Sequence, residues 1–228
     1  MNQNSCLSVS EPTSRRLPVY HRVLAVLRNE GVETVSCTRI ARALDLDPTQ
    51  VRKDLAVTGI TGKPKVGYDL IDLVRCIESF LGWNNVTEAF LVGTGNLGAA
   101  LLGFDGFRRY GMRIVAAFDA DEMKVGTVIH GCDVLHVSKL SDLSTRMSIQ
   151  IGVLTTPAEV AQKTADAMVA GGIRAIWNFT PTHLEVPENV IVENQDLSVG
   201  LAVLSHRLYE QLRRDAAENL EASVTGNE

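Results

Sequence analysis

The sequence predicts an α/β protein with an N-terminal winged helix-turn-helix domain followed by a Rossmann-like domain with a parallel sheet. Apolar residues recur at helical spacing between Leu17 and Leu81, which is typical of a small helical domain. From residue 89 onward, short β-branched runs alternate with helical stretches, as in βαβ units. The glycine-rich stretch LVGTGNLG, at residues 91–98, follows the first of these runs and is typical of a strand-to-helix turn.

The composition favours a cytoplasmic protein with a substantial apolar core. Hydrophobic residues make up 45% of the 228 residues, and no apolar run reaches the roughly 20 residues that span a bilayer. The N-terminal segment also lacks the apolar core of a signal peptide. No two of the four cysteines are spaced as CxxC, so we expect reduced thiols and no metal site. A redox-reactive Cys37 or Cys132 stays open.

The charge is distributed unevenly along the chain. Residues 1–83 carry 11 Lys and Arg against 9 Asp and Glu, whereas residues 84–228 carry 11 against 18. The mildly basic front part permits contact with a nucleic acid without proving it. We divide the chain into a disordered tail, a winged-helix domain, a Rossmann domain, a C-terminal helix and a second tail, at 1–14, 15–83, 84–196, 197–216 and 217–228.

Two short helices separated by a tight turn form the predicted helix-turn-helix. Asp47 caps the second helix, in which Val51 and Leu55 face inward. The rest of its surface carries side chains that hydrogen-bond base edges or reach phosphates. An ordinary helical hairpin with a solvated face is the alternative. The DNA-binding candidates here are Ser36, which also caps the first helix, Thr49, Gln50, Arg52 and Lys53.

The segment after these helices, TGITGKPKVGYDL, contains three glycines and a proline and predicts a β-hairpin. A hairpin after a recognition helix is a winged-helix layout. Lys63 and Lys65 lie near its tip and are predicted to contact the DNA backbone. A simple loop with solvated lysines is the alternative.

Gly93, Gly95 and Gly98 have the spacing of a dinucleotide-binding turn. The first permits the bend, the second lets a pyrophosphate approach the backbone, and the third lets helix pack on strand. Asp119 ends the second strand, where a carboxylate accepts hydrogen bonds from the adenosine ribose and repels a 2′-phosphate. This favours NAD(H) over NADP(H), with a ligand-free sheet or a CoA site as alternatives. The predicted site also includes Thr94, Asn96 and Leu97.

Two further strand ends, TTP at 155–157 and NFTP at 178–181, point toward the same crevice. Asn178 offers a partner for the nicotinamide carboxamide, and Phe179 offers an apolar wall. Loops without a ligand are the alternative. The candidates from the first of these ends are Thr155, Thr156 and Pro157.

No catalytic residues are predicted. No tyrosine begins a Tyr-x-x-x-Lys pair, and the five histidines stand in no acid–base pattern. A nucleotide domain joined to a DNA-binding domain therefore predicts a sensor and not an enzyme. The alternatives are a small NAD-dependent oxidoreductase and a CoA- or nucleotide-binding interaction protein.

Six segments in this order resemble the Rex family of redox-sensing transcriptional repressors: RLPVYHRVL, VRKDL, GKPKVGYDL, LVGTGNLGAALL, AAFDAD and NQDLSVGLAVLS. The resemblance extends from about Leu17 to about Leu212. It implies a homodimer that binds palindromic operator DNA, senses the NADH/NAD⁺ ratio and leaves the DNA when NADH binds. It also puts the NAD(H) loop on residues 93–98, the ribose at Asp119, and the recognition helix on residues 48–57.

The resemblance further implies a domain-swapped C-terminal helix after Asp196, because the family exchanges this helix between subunits. Leu201, Leu204 and Leu208 would then pack against the partner subunit near its nicotinamide site.

Three segments depart from the family pattern. The chain has VTG at residues 57–59 in place of the usual YFG, and GKPK at residues 62–65 in place of a sequence close to GKRG. Both departures put the operator sequence and affinity in question. Leu197 stands where the family often has an aromatic residue, which bears on discrimination between reduced and oxidised nicotinamide.

Overall fold

The computed structural model describes residues 9–225, except the side chains of residue 197 and residues 216–225. The described chain forms two units. The first extends to residue 87 and includes residues 105–112, and the second comprises residues 88–104 and the chain from 113 onward. Cys6 and parts of both predicted tails, at 1–8 and 226–228, lie outside the described residues.

Helices and strands alternate through most of the chain. The helices are α1 (Glu11–Asn29), α2 (Cys37–Leu44), α3 (Pro48–Ala56), α4 (Leu70–Phe80), α5 (Asn96–Leu102), α6 (Gly106–Arg109), α7 (Leu140–Arg146), α8 (Ala158–Ala170) and α9 (Leu197–Thr225). The strands are β1 (Thr34–Val35), β2 (Tyr68–Asp69), β3 (Thr87–Val92), β4 (Met112–Asp119), β5 (Val128–Ile129), β6 (Cys132–His136), β7 (Ile151–Leu154), β8 (Ala175–Asn178) and β9 (Ile191–Asn194).

The core of the first unit forms where α1, α2, α3 and α4 meet. Leu24 of α1, Ile40 of α2 and Ile77 of α4 are fully buried in it. Val51 and Leu55 of α3 are also fully buried, as their one-turn spacing predicted. The inward face of α3 is thereby fixed, and its other side chains are left for the surface.

The first helix begins earlier than predicted, which corrects the disordered tail at 1–14. Residues 11–14 form the first turn of α1. Pro12 is well tolerated there because an N–H at this position would have no acceptor within the helix. Thr13 is buried, and its Oγ1 donates a hydrogen bond of 3.0 Å to Oδ1 of Asp54. This partner is 41 residues away in sequence, so the polar local composition hid the contact.

The predicted hairpin after α3 is a compact turn with a minimal ladder. The Lys63 amide donates to the Gly67 carbonyl at 2.7 Å, and the Gly67 amide returns a bond of 2.9 Å. Pro64, which lacks an N–H, and Lys65, at φ 64°, form the tip. Strand β2 pairs antiparallel with β1, which precedes the helix-turn-helix. The wing is thus closed by a strand from outside the predicted hairpin segment.

The predicted domain boundary at residue 84 also needs correction. Residues 84–87 and 105–112 belong to the first unit. The Trp83 and Tyr110 rings lie with centroids 4.6 Å apart, and the Thr87 amide donates to the Gly111 carbonyl at 2.8 Å. The segment with α6 is held by these contacts, which no local sequence pattern indicates.

The second unit is built on a seven-stranded sheet in the order β5-β6-β4-β3-β7-β8-β9. The pairs β4–β6, β3–β7, β7–β8 and β8–β9 are parallel, and only the short β5 is paired antiparallel among these described strands. After β3, the next strands β4, β6 and β5 are added toward one edge of the sheet, and β7, β8 and β9 are then added on the other side of β3 toward the opposite edge. The strand order therefore reverses beside β3, the point at which open α/β sheets bind ligands.

Apolar layers cover both faces of this sheet. Phe90 and Val92 of β3 pack in the layer that includes α7 and α8, whereas Leu91 between them packs in the layer that includes α5. This alternation follows from the two-residue period of a strand. It fixes the carboxyl end of β3, and hence the glycine turn that follows.

Helix α9 extends beyond the predicted end of the C-terminal helix at residue 216. Residues 217–225, assigned to a tail, are helical, since Ala, Glu and Leu in this segment have high helix propensity. Within residues 9–225, no helix combines the length and apolarity that crossing a membrane requires. In the same range, no three His, Cys, Asp or Glu residues group in a way that could hold a metal ion.

Candidate functional site

A cleft of about 860 Å³ opens in the second unit at the carboxyl ends of the central strands. Its walls come from the segments that follow β3, β4, β6, β7 and β8. Of the residues predicted for a dinucleotide site, those that line this cleft are Gly93, Gly95, Leu97, Asp119, Thr155, Thr156, Pro157 and Phe179. Those that do not line it are Thr94, Asn96, Gly98 and Asn178.

The three glycines of the turn have different surroundings. Gly93 has φ 101°, and a Cβ there would lie 2.7 Å from the Thr155 carbonyl group. A Cβ on Gly98 would lie 1.9 Å from the Gly93 carbonyl oxygen. A Cβ on Gly95 would meet no atom within 4 Å. Packing therefore requires the first and third glycines, whereas the second leaves open space at the cleft.

Asp119 is held in the cleft wall by several donors. Its Oδ2 accepts bonds from the Thr94 amide at 2.8 Å and the Thr94 hydroxyl at 2.5 Å. The Lys124 ammonium lies 3.3 Å from the same oxygen, and the Asp121 amide donates to Oδ1 at 3.0 Å. Thr94 therefore does not face the cleft; it positions the carboxylate that does.

These contacts set the ionisation of Asp119. Burial alone raises the pKa of a carboxyl group, but the hydrogen bonds from Thr94, Asp121 and Lys124 outweigh it and lower the pKa of Asp119 to about 2. The group is consequently anionic at neutral pH. An anion here attracts ribose hydroxyls and repels a 2′-phosphate, as the position after the second strand predicted.

The threonines after β7 have separate tasks. The Thr155 hydroxyl donates to the Gly93 carbonyl at 2.7 Å and fixes the glycine turn against the β7 loop. The Thr156 Oγ1 is buried and has no hydrogen-bond partner among the described residues. A buried hydroxyl without a partner is costly, so a ligand in the cleft that bonds to Thr156 would relieve that cost.

Asn178 does not offer its amide to the cleft, which corrects the predicted carboxamide contact. Its side chain is fully buried, and its Nδ2 donates to the Thr182 carbonyl and the Asn194 side chain. Its Oδ1 accepts from both the amide and the hydroxyl of Thr180. All four of its hydrogen-bonding positions are used to hold the β8 loop. Phe179, the next residue, does form part of the cleft wall.

Several residues that line the cleft were not among the predicted site residues. Lys124 follows β4 by five residues, and Lys163 lies in the second turn of α8. Both line the cleft and give it positive charge, Lys124 directly beside Asp119. A search for lysines in the loop after the second strand would have found the first. The other missed polar residues are Ser138, Ser141, Thr164 and Thr180.

In the first unit the caps of the helix-turn-helix are formed as predicted. The Ser36 side chain accepts a bond from the Arg39 amide at 3.2 Å, at the start of α2. Asp47 accepts bonds from the Thr49 and Gln50 amides, at 2.7 and 3.1 Å, at the start of α3. A left-handed residue, Asp45 with φ 52°, ends α2 and makes the tight turn. The Asp47 cap fixes where α3 begins.

A basic groove of about 420 Å³ lies between α2, α3 and the wing. It brings together Ser36, Arg52, Lys63 and Lys65, which are separate in sequence. No carboxylate is among its lining residues, so three cations face one concave surface. Such a surface suits the sugar–phosphate backbone of a nucleic acid. The missed residues that also line this groove are Cys37, Thr38 and Tyr68.

The remaining DNA-binding candidates line a second groove on α3. Thr49 and Lys53 are exposed there and Gln50 is half-buried. Asp47 and two residues of α1, Thr13 and Arg16, complete its walls together with Asp54. None of the α1 residues was predicted, because nothing local in RLPVYHRVL indicates that α1 reaches α3.

Two family models match this chain. One, described as a putative DNA-binding protein N-terminus, matches residues 8–56. The other, described as a CoA binding domain, matches residues 84–182. The first includes α1, α2 and α3, and the second includes the glycine turn and most of the cleft.

Whole-chain comparisons are more specific. The redox-sensing transcriptional repressor Rex of Bacteroides thetaiotaomicron is 43% identical over 208 residues, which are 91% of this chain and 94% of that protein. The chain belongs to the Rex family of redox-sensing transcriptional repressors. Its Rex relatives are named as transcriptional repressors and not as enzymes, which agrees with the prediction of a sensor.

Solved Rex structures share the whole fold. The crystal structure of a Rex-family repressor, RSP, in complex with β-NAD⁺ and operator DNA is 34% identical, has a TM-score of 0.85, and covers 92% of this chain and 97% of its own. The structure of RSP in complex with β-NADH is 35% identical with a TM-score of 0.83, covering 91% of this chain and 98% of its own. The likeness extends over both units.

Proposed function

We propose that this chain is a repressor that binds operator DNA through its first unit and is released when NADH binds its second. One observation carries the proposal. The same chain holds a cleft with an anionic Asp119 at the ribose position and an acid-free basic groove beside a recognition helix. The related RSP was solved both with β-NAD⁺ and operator DNA and with β-NADH, which supports a single switch for both ligands.

The residues of the cleft fit NAD(H). Gly95 leaves space at the turn where a pyrophosphate approaches the backbone, and the unpartnered Thr156 hydroxyl supplies a buried hydrogen-bonding group. Asp119 would accept a ribose hydroxyl, and Lys124 beside it balances the charge. Phe179 and Pro157 add apolar wall at the nicotinamide end. When bound, the cofactor supplies only its redox state, as a signal.

The basic groove and α3 fit duplex DNA. Arg52, Lys63 and Lys65 would grip the backbone, while Thr49, Gln50 and Lys53 on the exposed side of α3 would meet base edges in the major groove. Backbone contacts set the register and base contacts give the sequence preference. The altered wing, GKPK at 62–65, keeps both lysines exposed.

The partner that completes the molecule would be a second copy of the chain, in the cytoplasm. The leucines Leu201, Leu204, Leu208 and Leu212 of α9 are each more than half exposed, at 64, 65, 54 and 57%. They recur three or four residues apart and form one apolar stripe. A stripe of this length is buried in a stable protein, which supports the swapped dimerisation helix at 197–216. Leu197 lies outside the described side chains.

The two ligands would be coupled through the separation of the two recognition helices in the dimer. Half-sites lie on successive turns of DNA, so a dimer binds only when its helices have the matching spacing. NADH would stabilise a different spacing. A coupling of about 2–3 kcal/mol corresponds to a shift of roughly 30- to 150-fold in DNA affinity. NAD⁺ must lack this preference, because otherwise the switch would stay off.

A second candidate ligand is CoA, which the match of residues 84–182 to a CoA binding domain favours. A gel-shift assay on a palindromic promoter fragment separates the two. We expect retardation in buffer and with NAD⁺ or CoA, and its loss with NADH. If CoA abolished the retardation and NADH did not, CoA and not NADH would be the signal. If no palindromic fragment were retarded, the proposal that the chain is a repressor would be wrong.

A further inference from the structure

An ion-pair network joins α1 to the recognition helix α3. Asp54, only 3% exposed, lies on the buried side of α3. Arg16 of α1 donates to it twice, from Nε to Oδ2 at 2.6 Å and from Nη2 to Oδ1 at 2.9 Å. The hydroxyls of Tyr20 and Thr13 donate as well, at 2.6 and 3.0 Å. Four donors from one helix thus converge on one carboxylate of the other.

The network is ionised at working pH. Burial alone raises the pKa of Asp54, but the bonds from Arg16, Tyr20 and Thr13 outweigh it and hold that pKa below its usual value. The bond to Asp54 keeps the pKa of Arg16 above its usual value. Burial and the same carboxylate raise the pKa of Tyr20, so its hydroxyl stays a donor.

The network leaves part of Arg16 available. Its side chain is 24% exposed, and its Nη1 has no hydrogen-bond partner among residues 9–225. Arg16 lines the groove on α3 together with Lys53, Thr49 and Gln50. Because two parallel bonds to Asp54 hold the guanidinium as a rigid fork, its free edge is presented to this groove in one orientation.

We propose that Arg16 binds a backbone phosphate of the operator and that Asp54 is the positioning residue that aims it. The proposal rests on the proposed function and adds a DNA contact from α1 to those of α3 and the wing. A guanidinium with one edge fixed and one edge open, one-quarter exposed beside a lysine of the recognition helix, matches what a phosphate requires.

The test is the salt dependence of operator binding by the double variant Arg16→Gln with Asp54→Asn. This pair keeps the net charge and leaves an amide–amide hydrogen bond in place of the ion pair. The slope of log Kobs against log salt is negative, and each lost phosphate contact makes it shallower by about 0.9. We therefore expect the magnitude of the slope to fall by about 0.9 per protomer and the affinity at fixed salt to weaken roughly tenfold, with NADH affinity unchanged.

A matched control is Arg75→Gln with Asp72→Asn, which removes an exposed Arg–Asp pair of α4 outside the groove. The control should keep the wild-type slope. A purely structural network would lower the melting temperature of the Arg16 and Asp54 variant without changing its slope, and that result would overturn the proposal. If this variant does not fold, the apolar pair Arg16→Met with Asp54→Leu takes its place, with the same expected slope and the same contrary result.

The wild-type protein separates this proposal from the one on which it rests. Suppose the wild-type protein binds the palindrome, NADH abolishes that binding, and the variant keeps the wild-type salt slope. The proposed repressor function would then stand, and only the proposed Arg16 contact would be wrong. Absence of wild-type binding would remove both.

Discussion

At the scale of single residues, glycines that share one motif meet different physical demands. A side chain at position 98 would collide with the Gly93 carbonyl, whose oxygen no rotamer can move. A side chain at position 95 would extend into open space. Gly98 is therefore required by the packing of the fold, and Gly95 is required to keep open the space in which a ligand would lie.

Gly98→Ala should therefore destabilise the second unit by about 1–3 kcal/mol, the cost of forcing an extra methyl group into packed backbone. Thermal unfolding measures this directly. Gly95→Ala is the matched variant and should keep the wild-type melting temperature but bind NADH at least tenfold more weakly. Equal melting temperatures for Gly98→Ala and wild type would contradict the packing described for the turn.

Asp119 makes stability depend on pH in a defined window. Its pKa in the folded protein, about 2, lies below its ordinary value of 3.8, so its ionised form stabilises the fold. That contribution is fully present above about pH 4 and is lost as the pH falls toward 2. Urea unfolding between pH 2 and pH 6 should show a decline of the unfolding free energy below about pH 4 that Asp119→Asn reduces. Parallel declines in the two proteins would contradict the assignment.

Site residues that could be predicted from the sequence are identified by nearby residues in the chain, whereas the others depend on contacts with residues that are distant in the sequence. Gly93 and Asp119 could be predicted because a strand, a turn and a fixed spacing identify them locally. Asn178 was misassigned because its partner Asn194 lies on another strand. Lys163 reaches the cleft only through the packing of α8 on the sheet, which no motif encodes.

At the scale of elements, the start of α3 determines which side chains the recognition helix presents. Asp47 satisfies two amides of the first turn, and Asp54, about two turns later, ties the same helix to α1. Helix α3 is only nine residues long, so its own propensity contributes little and these attachments hold it.

Asp47→Ala should cost about 1 kcal/mol of stability in the first unit, because two amides lose their acceptor. Operator affinity should fall with it, since the first turn carries Thr49 and Gln50. Asp47→Asn keeps the acceptor and should retain most of the stability. Unfolding experiments and anisotropy titrations compare the three proteins; equal stability of the Ala and Asn variants would argue against the cap.

Element prediction succeeded where periodicity was strong and failed where pairing was distant. Strands β3, β4, β7, β8 and β9 coincide with apolar runs in the sequence. Strand β6 was missed because CDVLH is short and includes an acid, and it exists through its pairing with β4. Residues 105–112 were misassigned because their partner Trp83 lies outside any local window.

At the scale of the whole molecule, α9 carries the exposed apolar stripe that the proposed dimer would bury. Leu204→Ser with Leu208→Ser should convert a dimer into a monomer, measured by sedimentation velocity. His206→Ser with Glu210→Ser changes residues on the other side of the helix and should leave the dimer intact. A dimer that survives the leucine changes would contradict the role assigned to the stripe.

The central claim is that NADH and operator DNA oppose each other through one protein, and equilibrium linkage tests it most directly. The affinity for a palindromic operator is measured with and without saturating NADH, and the affinity for NADH with and without that DNA. The account predicts that each ligand weakens the other by the same factor, roughly 30- to 150-fold, with no comparable effect of NAD⁺. DNA affinity that is indifferent to NADH, or that NAD⁺ weakens as much as NADH does, would contradict it.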